Sequence, residues 1–257
     1  LTDPISSRLF GGTGQRMPYA AADATQQSDR PVEQDMLAQT AIAPIQSGNI
    51  VGLGTGRTAS RAIRALARRV QLEHMDISCV CTSLASEELA RDLGLRMVPF
   101  NEIGEVDYLF DGADEVDHQL RMIKGAHGAL TRQRLVAHAA KRCVYMSHED
   151  KVVEQLGSRA LLAVVIIPFG VASIRDRLRN LGLSGVIRKN MDNEALITDG
   201  GGMVLDMRIT GRNVEQLALD LDHVPGVVDH GLFLTEADEV LVEDRAGQVR
   251  HLASSNV

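Results

Sequence analysis

The chain has 257 residues, a formal charge of −7, 44% hydrophobic and 24% charged residues, 3% aromatics, three cysteines and no tryptophan. Such a length supports one large domain or two modest ones with a core that needs no staples, and the scarcity of aromatics makes that core aliphatic. Three cysteines exclude a disulfide framework, no stretch approaches the roughly 20 apolar residues of a spanning helix, and the acidic balance removes any general pull toward nucleic acid or anionic membranes.

Residues 1–31, rich in Ser, Thr, Gly, Ala and Gln, carry neither helical nor strand periodicity. They read as an N-terminal extension: the remnant of an organelle-targeting segment (mitochondrion or plastid, with the cytoplasm as the alternative), a trimmed end, or a disordered tail. Protein partners docking through this arm are part of that expectation. From residue 32 strands and helices alternate. "VEQDMLAQTAIAPI" (32–45) predicts a helix, "IVGLG" (50–54) a buried strand, and "ASRAIRALARRV" (59–70) a helix after the turn "GTGRT". The arginines at 57–69 have helical spacing and read as a solvated face. "DISCVCTS" predicts a strand, "LASEELARDLG" a helix, "LRMVPF" (95–100) and "VDYLFDGAD" strands, "GALTRQRLVAHAA" a helix and "RCVYMS" a strand. Short apolar strands alternating with helices imply a parallel sheet covered on both faces. Cys79 and Cys81 share one strand face and read as buried thiols, in keeping with a reducing compartment.

A second section follows. "LLAVVIIPF" is a strand, "VASIRDRLRNLG" a helix, "SGVIRKN" with "EALITDG" (194–200) a hairpin, "GMVLDMRI" a strand and "NVEQLALDLDHV" a helix, an order like a split β-α-β unit. "VVDHGLFLT" (227–235) and "DEVLVED" supply two last strands that can return to the first sheet. The fold class expected is α/β: a parallel-sheet domain over 32–157 and 230–257, with a smaller α+β domain inserted at 158–229.

Two kinds of chemistry stand out. "GLGTGRTA" joins a strand to a helix. Glycines allow close backbone approach there, and the helix start offers free N–H groups, so it reads either as an anion cradle or as an ordinary turn. "TSLAS" (82–86) is a second such place, or a simple helix cap. "FDGADEVD" crowds Asp111, Asp114, Glu115 and Asp117 at the end of a strand, where open parallel sheets bind ligands. Turn and capping duty is the alternative for each. Lys124 nearby can pair with an acid or stabilise a developing oxyanion.

These blocks resemble the A-type ribose-5-phosphate isomerases over nearly all of 32–257. The likeness is carried by "IVGLGTGRTA", "CTSLASEELARDLG", "DGADEVD", "MIKGAHGALTR", "DKVVEQLG", "ITDGGGMVLD" and "VPGVVDHGLF", in family order. The resemblance implies a Rossmann-like domain with an α+β insert, a dimer or tetramer, no cofactor and no metal. It implies exchange of ribose 5-phosphate with ribulose 5-phosphate through an enediolate. It assigns Thr55 and Thr58 to the first anion loop, Asp111 and Asp114 to the sugar, Lys124 to the active-site lysine and Lys151 to the phosphate side; Arg57, between the two threonines, and Ser83 of "TSLAS" are further candidate phosphate-binding residues.

The departures fall near the chemistry. Gln133 stands where the resemblance expects a glutamate base, and a carboxamide takes up no proton near neutral pH. Arg134 replaces a lysine, Arg57 a small hydroxyl residue, Val165 a glutamate and Gly200 an asparagine. Gln34 and Asp35 stand in place of a phosphate-reaching lysine, and Ala126 with His127 interrupts a glycine run. His127 has the right imidazole chemistry for a substitute base, and Asp111 or Asp114 is another. The sequence therefore predicts a catalytically degenerate isomerase homologue serving as an accessory or sugar-phosphate-binding subunit. A working isomerase with a rearranged base is the alternative.

Overall fold

The structure is a computed structural model and describes residues 31–252. A 3-10 turn leads into α1 (Met36–Ile42), whose N-cap Asp35 accepts a hydrogen bond from the Ala38 N–H at 3.0 Å. The single helix expected over 32–45 is thus shorter and broken at Asp35. β1 (Ile50–Leu53) runs into α2 (Arg57–Glu73), which buries Ala59, Ala62, Ile63 and Leu66 at the i, i+3, i+4, i+7 spacing of one helix face. Arg61 departs from the expected solvated arginine face. Its guanidinium grips Asp35 at 2.6 and 2.7 Å and Glu243 at 3.0 Å, tying α2 to α1 and to the far side of the sheet.

β2 (Ser78–Cys81), α3 (Leu84–Asp92), β3 (Tyr108–Gly112), β4 (Glu115–Asp117), β5 (Met122–Ile123), α4 (Leu130–Ala139), β6 (Cys143–His148) and β7 (Val152–Val153) follow. Then come β8 (Leu162–Ile166), α5 (Val171–Asn180), β9 (Gly185–Ile187), β10 (Met203–Met207), α6 (Val214–Asp222), β11 (Val227–His230), β12 (Leu232–Phe233), β13 (Glu239–Glu243) and β14 (Val249–Leu252). Cys79 and Cys81 are free thiols; burial pushes the Cys79 thiol up to about 12 and that of Cys81 higher still.

Six strands form the main sheet in the order β14-β13-β6-β3-β1-β2, parallel throughout except for the antiparallel edge strand β14. A four-stranded antiparallel sheet, β11-β8-β10-β9, is built from the later segment, and a small sheet, β12-β5-β4-β7, lies in a third group. Three expected strands are revised. Residues 95–100 contribute only an isolated bridge from Met97 to Cys79, and residues 194–200 only bridges at Ala195 and Ile197. The run 227–235 does not return to the main sheet: β11 joins β8 and β12 joins β5. The chain kinks between them at His230 and Gly231, where the Gly231 N–H bonds to Ala163 and its carbonyl accepts from Lys124 N–H.

The order β3-β1-β2 places consecutive crossovers on opposite sides of β1. The crevice at the carboxyl ends of β1 and β3 is therefore a topological switch point, where open α/β sheets bind ligands.

Candidate active site

Four of the expected residues, Asp111, Asp114, Lys124 and Gln133, converge at that crevice. Asp111, one residue before the end of β3, has no exposed surface, Lys124 follows β5 at 2% exposure, and Gln133, in the first turns of α4, is 5% exposed. Asp111 Oδ1 accepts from the backbone N–H of Thr55 at 3.0 Å and of Gly112 at 2.7 Å. Asp111 Oδ2 accepts from Gln133 Nε2 at 2.8 Å and lies 3.1 Å from Lys124 Nζ. These four donors offset the cost of removing the carboxylate from water, which is high unless it is paired and hydrogen-bonded. The crossing is close enough that a Cβ on Gly54 would stand 2.3 Å from Asp111 Oδ1.

Lys124 also donates to the Gly112 carbonyl, and its ammonium sits between the Tyr145 ring, 5.1 Å away, and the Phe233 ring, 5.6 Å away. Aromatic faces are favourable company for a desolvated cation. The Tyr145 hydroxyl is buried without a hydrogen-bond partner, and burial holds its pKa well above the ordinary value. It stays neutral beside the Asp111–Lys124 pair.

The four acids of "FDGADEVD" divide by duty. Glu115 is buried and accepts backbone N–H bonds from Gly157, Arg159 and Ala160, the last two at 2.7 and 3.1 Å. Asp117 accepts from the Gln119 and Arg121 N–H groups and pairs with the Arg121 side chain. Both are structural. Asp114 is the one left half-exposed in the crevice; its Oδ2 accepts from the Ala126 N–H at 2.8 Å.

The first anion loop is built on Gly56, whose φ of +102° opens α2. The Thr55 hydroxyl is a hub: 2.7 Å from Thr82 Oγ1, donating to Ser83 Oγ at 2.8 Å, and 3.2 Å from Ser86 Oγ. Ser83 caps α3 by accepting from the Ser86 N–H, and Ser86 donates to the Gly54 carbonyl. The two loops are one hydroxyl network, joining the strand ends of β1 and β2. Thr82 and Ser86 belong to "TSLAS", read in the sequence as a second anion cradle or a helix cap, but neither was named individually as a site residue. Arg57 is the exposed first residue of α2 and Thr58 follows it, half-buried beside Gly112. Lys151 donates to the Ala113 carbonyl at 2.8 Å; burial lowers its pKa, Arg57 and Lys124 lower it further, and Asp114 and Asp150 oppose them.

His127 lies over the first loop: a Cβ on Gly56 would come within 2.7 Å of its Cε1. Asp111 cannot serve readily as a substitute base, because each of its oxygens already meets two donors. Arg134 points to the other side of α4. It binds Asp229 at 2.8 Å, Glu236, and the carbonyls of His230 and Leu232 at 2.6 and 2.8 Å, with its guanidinium 4.2 Å from the Phe233 ring. Arg134 thus fixes the 229–236 segment that backs Lys124. Asp35 is taken up by α1 and Arg61, and Val165 is buried in β8. Asp199, from the turn before β10, accepts from the Leu84 N–H at 2.9 Å and joins the second sheet to α3. Among the described residues no cluster of three or more His, Cys, Asp or Glu is arranged to hold a metal ion, and no helix is long and apolar enough to cross a membrane.

Fold and site together define an α/β protein with an acid–lysine cleft at the carboxyl edge of a parallel sheet. The family model for ribose 5-phosphate isomerase A (phosphoriboisomerase A) matches residues 78–247. Ribose-5-phosphate isomerase A of Sphingopyxis alaskensis is 36% identical over 211 residues, covering 82% of this chain and 91% of that protein. A bifunctional ribokinase/ribose-5-phosphate isomerase A of Fructilactobacillus sanfranciscensis is 38% identical over 194 residues; the match takes in 75% of this chain but only 36% of that longer protein. Among solved structures, ribose 5-phosphate isomerase A of Methanocaldococcus jannaschii aligns with a TM-score of 0.81 at 32% identity, over 86% of this chain and 98% of that one. A D-ribose-5-phosphate isomerase in complex with phospho-erythronic acid aligns with a TM-score of 0.81 at 28% identity, over 87% of this chain and 100% of that one. The chain belongs to the ribose 5-phosphate isomerase A family.

Proposed function

We propose that this chain binds ribose 5-phosphate in the crevice and interconverts it with ribulose 5-phosphate at a strongly reduced rate. The observation that carries this reading is the Gln133–Asp111 hydrogen bond. The side chain at the position expected to hold the carboxylate base is an amide, and that amide is a donor to a buried aspartate. In the reaction a base takes the proton from C2, the C1 carbonyl oxygen becomes an enediolate oxygen, and the proton returns to C1. In this reading Lys124 and backbone N–H groups would stabilise that oxygen. Gln133 can orient Asp111 but cannot accept the C2 proton. Loss of a positioned base typically costs about 10²–10⁴ in rate.

A second reading is favoured by one observation. The Asp114 carboxylate is half-exposed at the mouth of the crevice, with Lys151 close enough to feel its charge. It, or His127 on the facing loop, would then be the base of a working isomerase. The accessory-subunit expectation drew on the arm at 1–31; residues 1–30 lie outside the described residues, so docking through that arm and organellar residence stay proposals of the sequence alone.

Isotope exchange separates the two readings. With ribose 5-phosphate in deuterated buffer, the slow-isomerase reading expects saturable binding by calorimetry and little deuterium at C1 or C2. Rapid incorporation would establish a competent base and overturn it.

A further inference from the structure

The loop Gly125–Gly128 connects Lys124 to α4, carries His127, and has contacts beyond the main sheet. It rests on the four-stranded antiparallel sheet. A Cβ on Gly128 would touch Leu196 at 3.2 Å and Val204 at 4.0 Å, and one on Gly125 would stand 2.8 Å from the Ala163 Cβ. The polar tie is Arg188, the residue following β9. Its NH1 donates to the Gly125 carbonyl at 2.6 Å and to the Ala126 carbonyl at 2.8 Å. Its Nε donates to Asp206 Oδ2 at 2.9 Å, and NH2 donates to the other oxygen of the same carboxylate. Arg188 bonds to the Val204 carbonyl through its own N–H, so Asp206 is its diagonal neighbour on the same face of β10.

We infer that Arg188, held by Asp206, is a positioning residue for the candidate site: it fixes the Gly125–His127 backbone from the second sheet and thereby sets where His127 and the Ala126 N–H stand. The chemistry of the side chain supports this. A guanidinium is planar and always charged, and can present two donors to a carboxylate while a third nitrogen spans two carbonyls. Arg188 is only 13% exposed in its side chain and Asp206 18%, so solvent competes weakly for these bonds. The same loop meets the main domain twice on its other side. Ala126 N–H donates to Asp114, and the His127 ring lies against Gly56. Arg188 thus completes a bridge from the second sheet, across the loop, to Asp114 and to Gly56 of the first loop. No motif in the sequence marks Arg188; only its carbonyl partners reveal it.

This inference rests on the crevice being the ligand site, but it can be tested apart from turnover. The His127 imidazole resonances in ¹H–¹⁵N NMR report loop position whether or not the protein isomerises anything. Arg188→Met should shift and broaden those resonances and weaken ribose 5-phosphate binding on the order of tenfold, the loss expected when charge-assisted hydrogen bonds that preorganise a site are removed. Arg188→Lys should restore part of both signals, since an ammonium can reach one carbonyl but not hold the fork. Arg212→Met serves as a control. Arg212 ties the Leu181 and Gly182 carbonyls at 3.0 and 2.7 Å, at the end of α5, and its loss should leave the His127 signals in place. Unchanged His127 resonances in both Arg188 variants would overturn the inference. If Arg188→Met fails to fold, Arg188→Lys with wild-type His127 resonances and affinity would overturn it equally. A parent protein that binds no ribose 5-phosphate would count against the proposed function, while the resonances would still decide the role of Arg188.

Discussion

Gln133 and Asp111 are joined by a 2.8 Å hydrogen bond in which the amide is the donor. A glutamate at 133 would meet Asp111 as a second carboxylate, and two carboxylates at such a distance raise each other's proton affinity unless a cation intervenes. Lys124, 3.1 Å from the same Asp111 oxygen, is that cation. Gln133→Glu is therefore expected to restore a base that shares Lys124 with Asp111, and to raise isomerase turnover by roughly 10². The check is the initial rate of ribulose 5-phosphate formation; an unchanged rate would contradict this expectation.

Gly54→Ala tests the crossing of the first loop over Asp111. The new methyl would stand 2.3 Å from Asp111 Oδ1 and 2.5 Å from the Asp111 Cα, a backbone atom that cannot swing aside. Destabilisation of about 1–3 kcal/mol is expected from overpacking. Ligand affinity should fall as well, because Thr55 N–H would be pushed off its carboxylate. Urea denaturation measures the first effect and calorimetry the second.

Arg134→Lys reverts one departure and should not be neutral. Arg134 meets four acceptors and the face of Phe233, a set that one ammonium cannot reproduce. A loss of about 1–3 kcal/mol is expected, with the 229–236 segment becoming the first to exchange its amide hydrogens. Hydrogen exchange followed by mass spectrometry reads that order directly.

His230 should make stability fall on mild acidification. Its Nδ1 accepts from the Leu232 N–H at 3.2 Å, which requires the neutral ring with its proton on Nε2, 3.3 Å from Asp222. Burial lowers its pKa from 6.5, Arg134 lowers it further, and Asp222 and Asp229 oppose them. Between 6.5 and the lower folded value the unfolded chain binds a proton that the folded chain does not. Stability is thus full above 6.5, declines as pH drops through that window, and levels off below it. His230→Asn keeps an acceptor for Leu232 N–H and removes the titration. Melting temperatures from about pH 7.5 to about pH 5 should show a smaller acid slope in the variant; equal slopes would contradict the assignment.

Much of this architecture could be read from residue patterns, and the failures have physical causes. β1, β2, β3 and β6 are short apolar runs bounded by turns, and the i, i+3, i+4, i+7 spacing of α2 is unambiguous. Residues 95–100 read as a strand because "LRMVPF" is apolar, but Pro99 lacks the N–H a ladder needs and only Met97 pairs. Residues 227–235 read as one strand because nothing in their composition shows that Gly231 transfers the chain from one sheet to another. At the site, Asp111, Asp114 and Lys124 were visible because chemistry-bearing residues are dense there, while Gln133 was marked only by the family resemblance. The division of labour was not: Glu115 and Asp117 look like Asp111 in sequence, and only their backbone donors identify them as structural. Arg188 and Asp199 were invisible for the same reason, since their partners lie far away in the chain.

The most direct test of the central claim is the rate at which the unmodified protein interconverts ribose 5-phosphate and ribulose 5-phosphate, measured beside Gln133→Glu under the same conditions. The parent rate should be lower by about two orders of magnitude than that of the variant. A parent as fast as the variant, or faster, would mean that a proton acceptor other than residue 133 serves this cleft, and the account would be wrong.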